Sequence, residues 1–344
     1  MPQVTLQPGG HAFTCDADET ILSAALRAGL LIPYGCKNGA CGSCKGRVLD
    51  GTVEHGPHQS ATLPPDEAAA GKALFCVAHP LGDVVVEARD VRAAGEHTVK
   101  TLPCRIESID RVTDDVAILR FKLPANQRLP YRAGQYIEFL LKDGQRRSFS
   151  LATAPHDDAL LELHIRHLPG GLFTDRLFGL SAPAIKVRDI LRFEGAHGGF
   201  YLREDSEKPI ILLASGTGFA PIKAIVEHMI HTGNRRPVTL YWGGRRPKDL
   251  YLNDLAERWV AQHPAPFRYV PVVSDMLPED AWTGRTGFVH RAVMVDFPDL
   301  SGHEVYACGA PVVVDSARAD FTARCYLPES AFFADSFTVA AQPG

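Results

Sequence analysis

Cys36, Cys41 and Cys44 stand four and then two residues apart in the run Y-G-C-K-N-G-A-C-G-S-C, and Cys76 follows well downstream. Three thiolates in C-x4-C-x2-C order with a distant fourth make the spacing that holds a [2Fe-2S] cluster. Gly39, Ala40, Gly42 and Ser43 leave room for backbone N–H groups to reach bridging sulfides. A zinc site usually shows paired C-x2-4-C knuckles, and only one such pair is present. A disulfide framework suits a short secreted chain, whereas this one spreads 8 Cys over 344 residues. Cys36, Cys41, Cys44 and Cys76 are therefore the candidate metal ligands.

Other stretches carry groups suited to phosphates and flat rings. Arg147-Ser148-Phe149-Ser150 offers a guanidinium fork and an aromatic face. Four residues match by accident often, and a solvated strand arginine is the competing reading. In His164 to Thr174, H-I-R-H-L-P-G-G-L-F-T, Gly170 and Gly171 let backbone N–H groups approach an anion. Thr174, at the head of a short helix, adds a hydroxyl. Ser215-Gly216-Thr217-Gly218-Phe219-Ala220-Pro221 joins an apolar strand to a helix. It falls short of a full G-x-G-x-x-G fingerprint because Ala220 and Pro221 follow too soon. Cys308-Gly309 ends a later strand, where a small core residue is the alternative reading of Cys308. Cys15, Cys104 and Cys325 have no such surroundings and are assigned to packing.

These groups need elements to hold them. Residues 3 to 15 alternate, turn at Pro8-Gly9-Gly10 and alternate again, as a β-hairpin does. A helix should follow, with Ile21, Leu22, Ala25 and Leu26 on one face, Asp18 and Glu19 favouring its start and Gly29 stopping it. After the cysteine loop come a strand at Lys45 to Leu49, a Gly51 turn, a short helix opened by Pro64-Pro65-Asp66-Glu67, and a closing strand at Val84-Val85-Val86. Arg92 to Thr101 has few large apolar residues and reads as a linker. Short strands at Arg105, Val116, Gln135, Leu161 and Asp189 then indicate a small antiparallel barrel. From Lys208 the pattern changes to strands alternating with helices near 249–262, 288–295 and 311–324, the signature of a doubly wound sheet that binds ligands at the carboxyl ends of its strands. Phe332 to Phe337 reads as a last strand.

The first 92 residues resemble a plant-type ferredoxin β-grasp domain. Arg147 to Ser150 and His164 to Thr174 are similar to the flavin motifs of the ferredoxin–NADP reductase superfamily, and Gly216-Thr217-Gly218 and Cys308-Gly309 to its pyridine-dinucleotide segments. The resemblance covers the whole chain and is closest to three-domain iron–sulfur flavoprotein reductases, in particular the CDP-6-deoxy-Δ3,4-glucoseen reductase group, beside phenol hydroxylase and methane monooxygenase reductases. It implies a multidomain α+β and α/β protein: a β-grasp ferredoxin domain over 1–92, an antiparallel β-barrel FAD domain over 100–203 and a doubly wound nucleotide-binding domain over 208–340.

It also implies the roles. Arg147 meets the flavin pyrophosphate, Phe149 packs on the isoalloxazine and Ser150 reaches N5. His164, Arg166, Gly171 and Thr174 complete the flavin site, and Phe337 lies near the ring. Gly216, Thr217 and Gly218 hold the nicotinamide dinucleotide beside Cys308 and Gly309, with Ser150 and Cys308 as the positioning residues of the reaction. Electrons pass from NADH, with NADPH as the alternative, through FAD to the cluster and on to an electron-accepting protein. The acceptor is a sugar-dehydratase component or, alternatively, a ring-hydroxylating oxygenase component; a redox sensor or carrier without turnover is the third reading. For the choice of nicotinamide, Arg245-Arg246 and Asp249 pull in opposite directions. Docking at the cluster edge would use Lys37, Asn38 and Lys45.

Composition excludes other classes. Hydrophobic residues make up 45% and charged residues 22%, ordinary for a globular protein. With a net charge of −4 and basic clusters no longer than pairs, nucleic acid is not an expected partner. The most apolar run, at Pro209 to Ala214, is far short of the roughly 20 residues that span a membrane. The N-terminus lacks the basic and apolar regions of a secretory signal, so a cytoplasmic location is expected.

Overall fold

The computed structural model describes residues 1–60, 62–88, 91–93, 99–142, 144–263 and 267–337. They form two compact units. The first holds the residues up to 93 with Gly198–Phe200 and 334–337; the second holds Val99–His197 and Tyr201–Phe333.

In the first unit, strands β1 (Gln3–Gln7), β2 (His11–Thr14), β3 (Lys45–Asp50), β4 (Lys72–Leu74) and β5 (Val84–Glu87) make one mixed sheet in the order β2-β1-β5-β3-β4. Val4 and Leu6 alternate inward on β1, Val84 and Val86 on β5, and they close over Ile21, Leu22 and Ala25 of helix α1 (Ile21–Arg27). The helix cap differs from expectation. Thr20, not the acidic pair, accepts the Ser23 N–H at 3.2 Å, while Glu19 grips Arg27 at 2.6 Å. A proline-led helix, α2 (Pro65–Ala69), precedes β4. The expected linker is shorter than its composition suggested. Arg92–Ala93 pairs with Leu30–Leu31 and Lys100 already belongs to the next strand; residues 94–98 lie outside the described residues.

The second unit contains a barrel and a parallel sheet packed together. The barrel strands are β6 (Lys100–Arg111), β7 (Val116–Lys122), β8 (Tyr136–Leu140), β9 (Arg146–Ser150), β10 (Leu161–Arg166) and β11 (Ile190–His197), all antiparallel, in the order β9-β8-β11-β6-β7-β10. A bridge between Leu151 and Leu163 closes the ring. Its core centres on Phe121, Phe139, Phe173 and Phe193, with ring centroids 4.8 to 6.2 Å apart. Helix α3 (Thr174–Leu177) adds Leu177 to that core.

The parallel sheet comprises β12 (Ile210–Ser215), β13 (Val238–Gly244), β14 (Phe267–Val273), β15 (Arg285–Thr286), β16 (Glu304–Gly309) and β17 (Phe332–Ser336), in the order β15-β14-β13-β12-β16-β17. Buried runs such as Ile210 to Ala214 are what a strand covered on both faces requires. Helices α4 (Phe219–Thr232), α5 (Asn253–Gln262), α6 (Val289–Asp296) and α7 (Pro311–Arg324) cover it. The order reverses at β12, so the crevice beyond the end of that strand is where a dinucleotide fits. Among the described residues no helix is long and apolar enough to cross a membrane.

Candidate functional site

The cysteine loop owes its shape to three left-handed residues, Lys37, Gly39 and Gly42, at φ +59°, +75° and +72°. At Gly39 a Cβ would fall 2.7 Å from that of His58, so no side chain fits. The folded loop aims the Ala40 N–H at Cys36 Sγ and the Cys36 N–H at Cys41 Sγ, each at 3.4 Å. Cys76 is brought in by the Phe75 N–H donating to Cys44 O at 3.2 Å. Hydrogen-bonding contacts then run from Cys41 to Cys36, on to Cys76 and on to Cys44. The Cys41 thiol is pushed well above its ordinary value by its bond to Cys36 and by burial. Four thiols side by side, three buried and Cys36 half-buried, with N–H groups on the Cys36 and Cys41 sulfurs, fit a cation that displaces thiol protons. Lys45 is not free for docking, because Glu67 takes it at 2.6 Å.

On the barrel, Arg147 and Phe149 are half-buried on β9 and Ser150 is buried. The Arg147 guanidinium donates to Gln145 Oε1 at 2.7 Å and Arg146 O at 2.8 Å. Phe149 leans on Phe139 and Phe173, with centroids 6.0 and 5.0 Å away. Its partial exposure leaves aromatic surface for a flat ring, so this donor set fits a flavin.

Two expected flavin contacts are placed differently. Both His164 ring nitrogens are engaged inside the protein, Nδ1 by Tyr251 Oη and Nε2 by Glu162 Oε1, each at 2.9 Å. That side chain has no nitrogen left for a cofactor. The Thr174 hydroxyl donates to Leu168 O at 3.0 Å and accepts from the Leu168 N–H at 3.2 Å, which shapes the loop around Gly171. Phe337 is half-buried and groups with the first unit, while Phe333 stacks on Tyr306 at 4.8 Å in the second.

At the end of β12 the Gly216–Gly218 turn winds as one 3-10 turn into α4. A Cβ on Gly218 would lie 2.2 Å from Cys308 O, so glycine is required where the turn crosses Cys308-Gly309. Ser215 Oγ accepts from the Ala310 N–H at 2.9 Å and fastens the two segments. Arg166 is paired with Asp115, and its Nη2 lies 3.2 Å from where a Gly216 Cβ would stand. It therefore faces the Gly216–Gly218 turn.

Past β13, Asp249 Oδ2 accepts from the N–H groups of Arg245 and Arg246 at 2.9 and 3.0 Å. Arg246 forks onto Asp280 at 2.6 and 2.8 Å and holds that carboxyl below its ordinary value. A cavity of about 350 Å³, lined in part by Ser274, Thr286, Gly287, Phe288 and Arg291, opens where β14 and β15 end. Glu162, Lys223, Trp242 and Tyr251, which knit the turn to the barrel, escaped sequence reasoning. None sits in a motif, and their roles arise from side-chain contacts between elements far apart in the sequence.

Residues 4–81 match the family described as the 2Fe-2S iron-sulfur cluster binding domain, 103–201 the oxidoreductase FAD-binding domain and 212–319 the oxidoreductase NAD-binding domain. Fold and site thus define a redox protein that carries an iron–sulfur cluster, a flavin and a nicotinamide site in one chain. The CDP-6-deoxy-L-threo-D-glycero-4-hexulose-3-dehydrase reductase of Yersinia pseudotuberculosis is 41% identical over 97% of this chain and 98% of its own. Terephthalate 1,2-dioxygenase reductase component 1 of Comamonas is 32% identical over 98% of both. Among solved structures, the Amycolatopsis cytochrome P450 reductase GcoB superposes with a TM-score of 0.78 at 34% identity, over 99% of this chain and 100% of that one. The chain belongs to the family of NAD(P)H-dependent iron–sulfur flavoprotein reductases, oxidoreductases that pass electrons from a nicotinamide through FAD to a [2Fe-2S] cluster.

Proposed function

We propose that this chain takes electrons from NADH and delivers them to a dehydratase acting on a nucleotide-linked deoxysugar, with a cytoplasmic location. The observation that carries the acceptor is the 41% identity, spread over nearly the full length, to the Yersinia pseudotuberculosis dehydrase reductase. Cys36, Cys41, Cys44 and Cys76 would hold the cluster. Arg147 and the backbone around Gly171 would take the flavin phosphates, and Phe149 and Ser150 would meet the ring. Gly216, Thr217 and Gly218 would seat the dinucleotide, with the nicotinamide at Cys308-Gly309 and the adenosine end toward the cavity at Ser274 and Phe288. Held there, the flavin would supply the chemistry that links two-electron hydride acceptance to one-electron delivery. The protein's part is to orient these groups and exclude water, with no general acid or base demanded of it.

NADH is favoured because Arg246 is spent on Asp280 and a 2′-phosphate would meet the acidic rim of Asp275, Glu279 and Asp280. The 32% identity to the Comamonas component supports a second reading, in which the acceptor is an oxygenase. Purified chain and NADH would be combined with a pyridoxamine-dependent sugar dehydratase or with a terminal oxygenase, and NADH consumption coupled to each product measured. Coupled turnover with the dehydratase alone supports the proposal, whereas turnover with the oxygenase alone selects the second reading. Failure to reduce either partner or an artificial acceptor such as ferricyanide would point to a sensor.

A further inference from the structure

We propose that Tyr251 and His164 are positioning residues that strap the nicotinamide-binding turn to the flavin barrel and so set the approach of hydride donor to acceptor. This rests on the reading of Gly216–Gly218 and Cys308-Gly309 as the nicotinamide seat.

The strap starts on β10. His164 is wholly enclosed, its side chain 0% exposed, with Nε2 against Glu162 Oε1. Burial pushes the Glu162 carboxyl up, but the His164 hydrogen bond and the charges of Lys223 and Arg120 prevail and bring it down to about 2. Arg120 Nε and Nη2 lie 2.8 and 2.7 Å from Oε2, and Lys223 Nζ lies 3.4 Å from Oε1. An ionised carboxylate only accepts, so His164 Nε2 carries the ring proton. Burial keeps the ring neutral, which leaves Nδ1 an acceptor and makes the Tyr251 hydroxyl the donor. The series therefore has one direction, Tyr251 to His164 to Glu162.

Tyr251 belongs to the nucleotide-binding side, in the loop after β13. Its ring stands edge-on to Trp242 at 5.2 Å and to Phe219 at 6.4 Å. Trp242 in turn donates Nε1–H to Gly216 O at 3.0 Å, and Phe219, the first residue after the turn, stacks on Trp242 at 3.8 Å. The turn is thus fixed to an aromatic block whose polar tether to the barrel is the Tyr251 hydroxyl. Two residues along β10, on the same face, Arg166 lies over Gly216. Lys223 of α4 adds a third point by donating to Ala152 O at 3.1 Å. Hydride transfer is steeply sensitive to misplacement of its partners, so a tether of this kind acts on rate.

The test is Tyr251→Phe in the full chain loaded with cluster and FAD. The substitution keeps the ring against Trp242 and Phe219 and deletes only the hydroxyl. Anaerobic rapid mixing with NADH should show a limiting rate of flavin reduction lowered about tenfold, as loss of one buried hydrogen bond allows. NADH affinity and FAD content should stay at wild-type values, and the long-wavelength charge-transfer absorbance of the NADH complex should weaken. His164→Gln should reproduce the rate loss and the weaker band. A Tyr251→Phe protein with wild-type limiting rate and an unaltered band would overturn the strap, as would a rate loss that merely follows lost FAD. Failure of NADH to reduce the wild-type flavin would instead overturn the reading of the nicotinamide site.

Discussion

Arg246 and Asp280 are 34 positions apart, and only the fold reveals that they answer each other, in a two-point ion pair. In the sequence, Arg245-Arg246 is equally a solvated pair or a 2′-phosphate clamp. Asp280→Asn should loosen Arg246 and shift the NADPH-to-NADH ratio of kcat/KM upward by about tenfold, in line with the strength of a charged hydrogen bond. Steady-state reduction of an artificial acceptor with either nucleotide measures it, and an unchanged ratio would place Arg246 outside recognition. The grouping of the cysteines was legible in their spacing, and the fold brings the four side by side. His164 could not be read in that way, because its place in a motif says nothing of where its two nitrogens point. Glu162 and Tyr251 carried no signal at all, since a lone Glu on a strand and a Tyr after Asp-Leu are ordinary.

Strands and helices were easier to read than the contacts between them. Alternation marked the barrel strands, and continuous apolar runs marked the parallel ones, because each follows from which faces are covered. Buried charge between elements was invisible. Arg236, one of a basic pair in the sequence, is 3% exposed in its side chain and meets Glu304 at the start of β16 at 2.6 Å, with Tyr306 Oη 2.9 Å from the same carboxylate. Arg236→Ala would strand that carboxylate in the interior and should cost about 3–5 kcal/mol in urea unfolding of the second unit; a loss under 1 kcal/mol would show water reaching Glu304.

Acid should weaken the same unit. Burial lowers the His164 value, so below about pH 6.5 the unfolded chain binds a proton that the folded one refuses, and stability falls as pH drops through that window. Glu162, depressed to about 2, contributes stability present above its ordinary carboxylate value and lost as pH falls from there toward 2. His290, buried, and His303, half-buried, are shifted in the same direction as His164, so His164→Gln should make the pH slope of urea midpoints between pH 7.5 and 5.5 shallower without abolishing it.

At the scale of the whole molecule, the order of the three regions was legible from motif order, because each cofactor class imposes its own architecture. The division into two compact units was not, since packing of the barrel against the parallel sheet depends on Glu162, Lys223 and Tyr251, which no motif marks. The central claim is that one chain joins a nicotinamide-reducible flavin to a cluster held by Cys36, Cys41, Cys44 and Cys76. The most direct measurement is anaerobic NADH titration of wild type and Cys76→Ser, followed by visible absorbance and low-temperature electron paramagnetic resonance. In the wild type both the flavin band and the broad iron–sulfur absorbance should bleach and the signal of a reduced [2Fe-2S] cluster should appear; in Cys76→Ser the flavin should still bleach while that signal is lost or altered. A wild-type protein that binds flavin but holds no iron after anaerobic reconstitution, or a Cys76→Ser protein with an unchanged cluster signal, would contradict it.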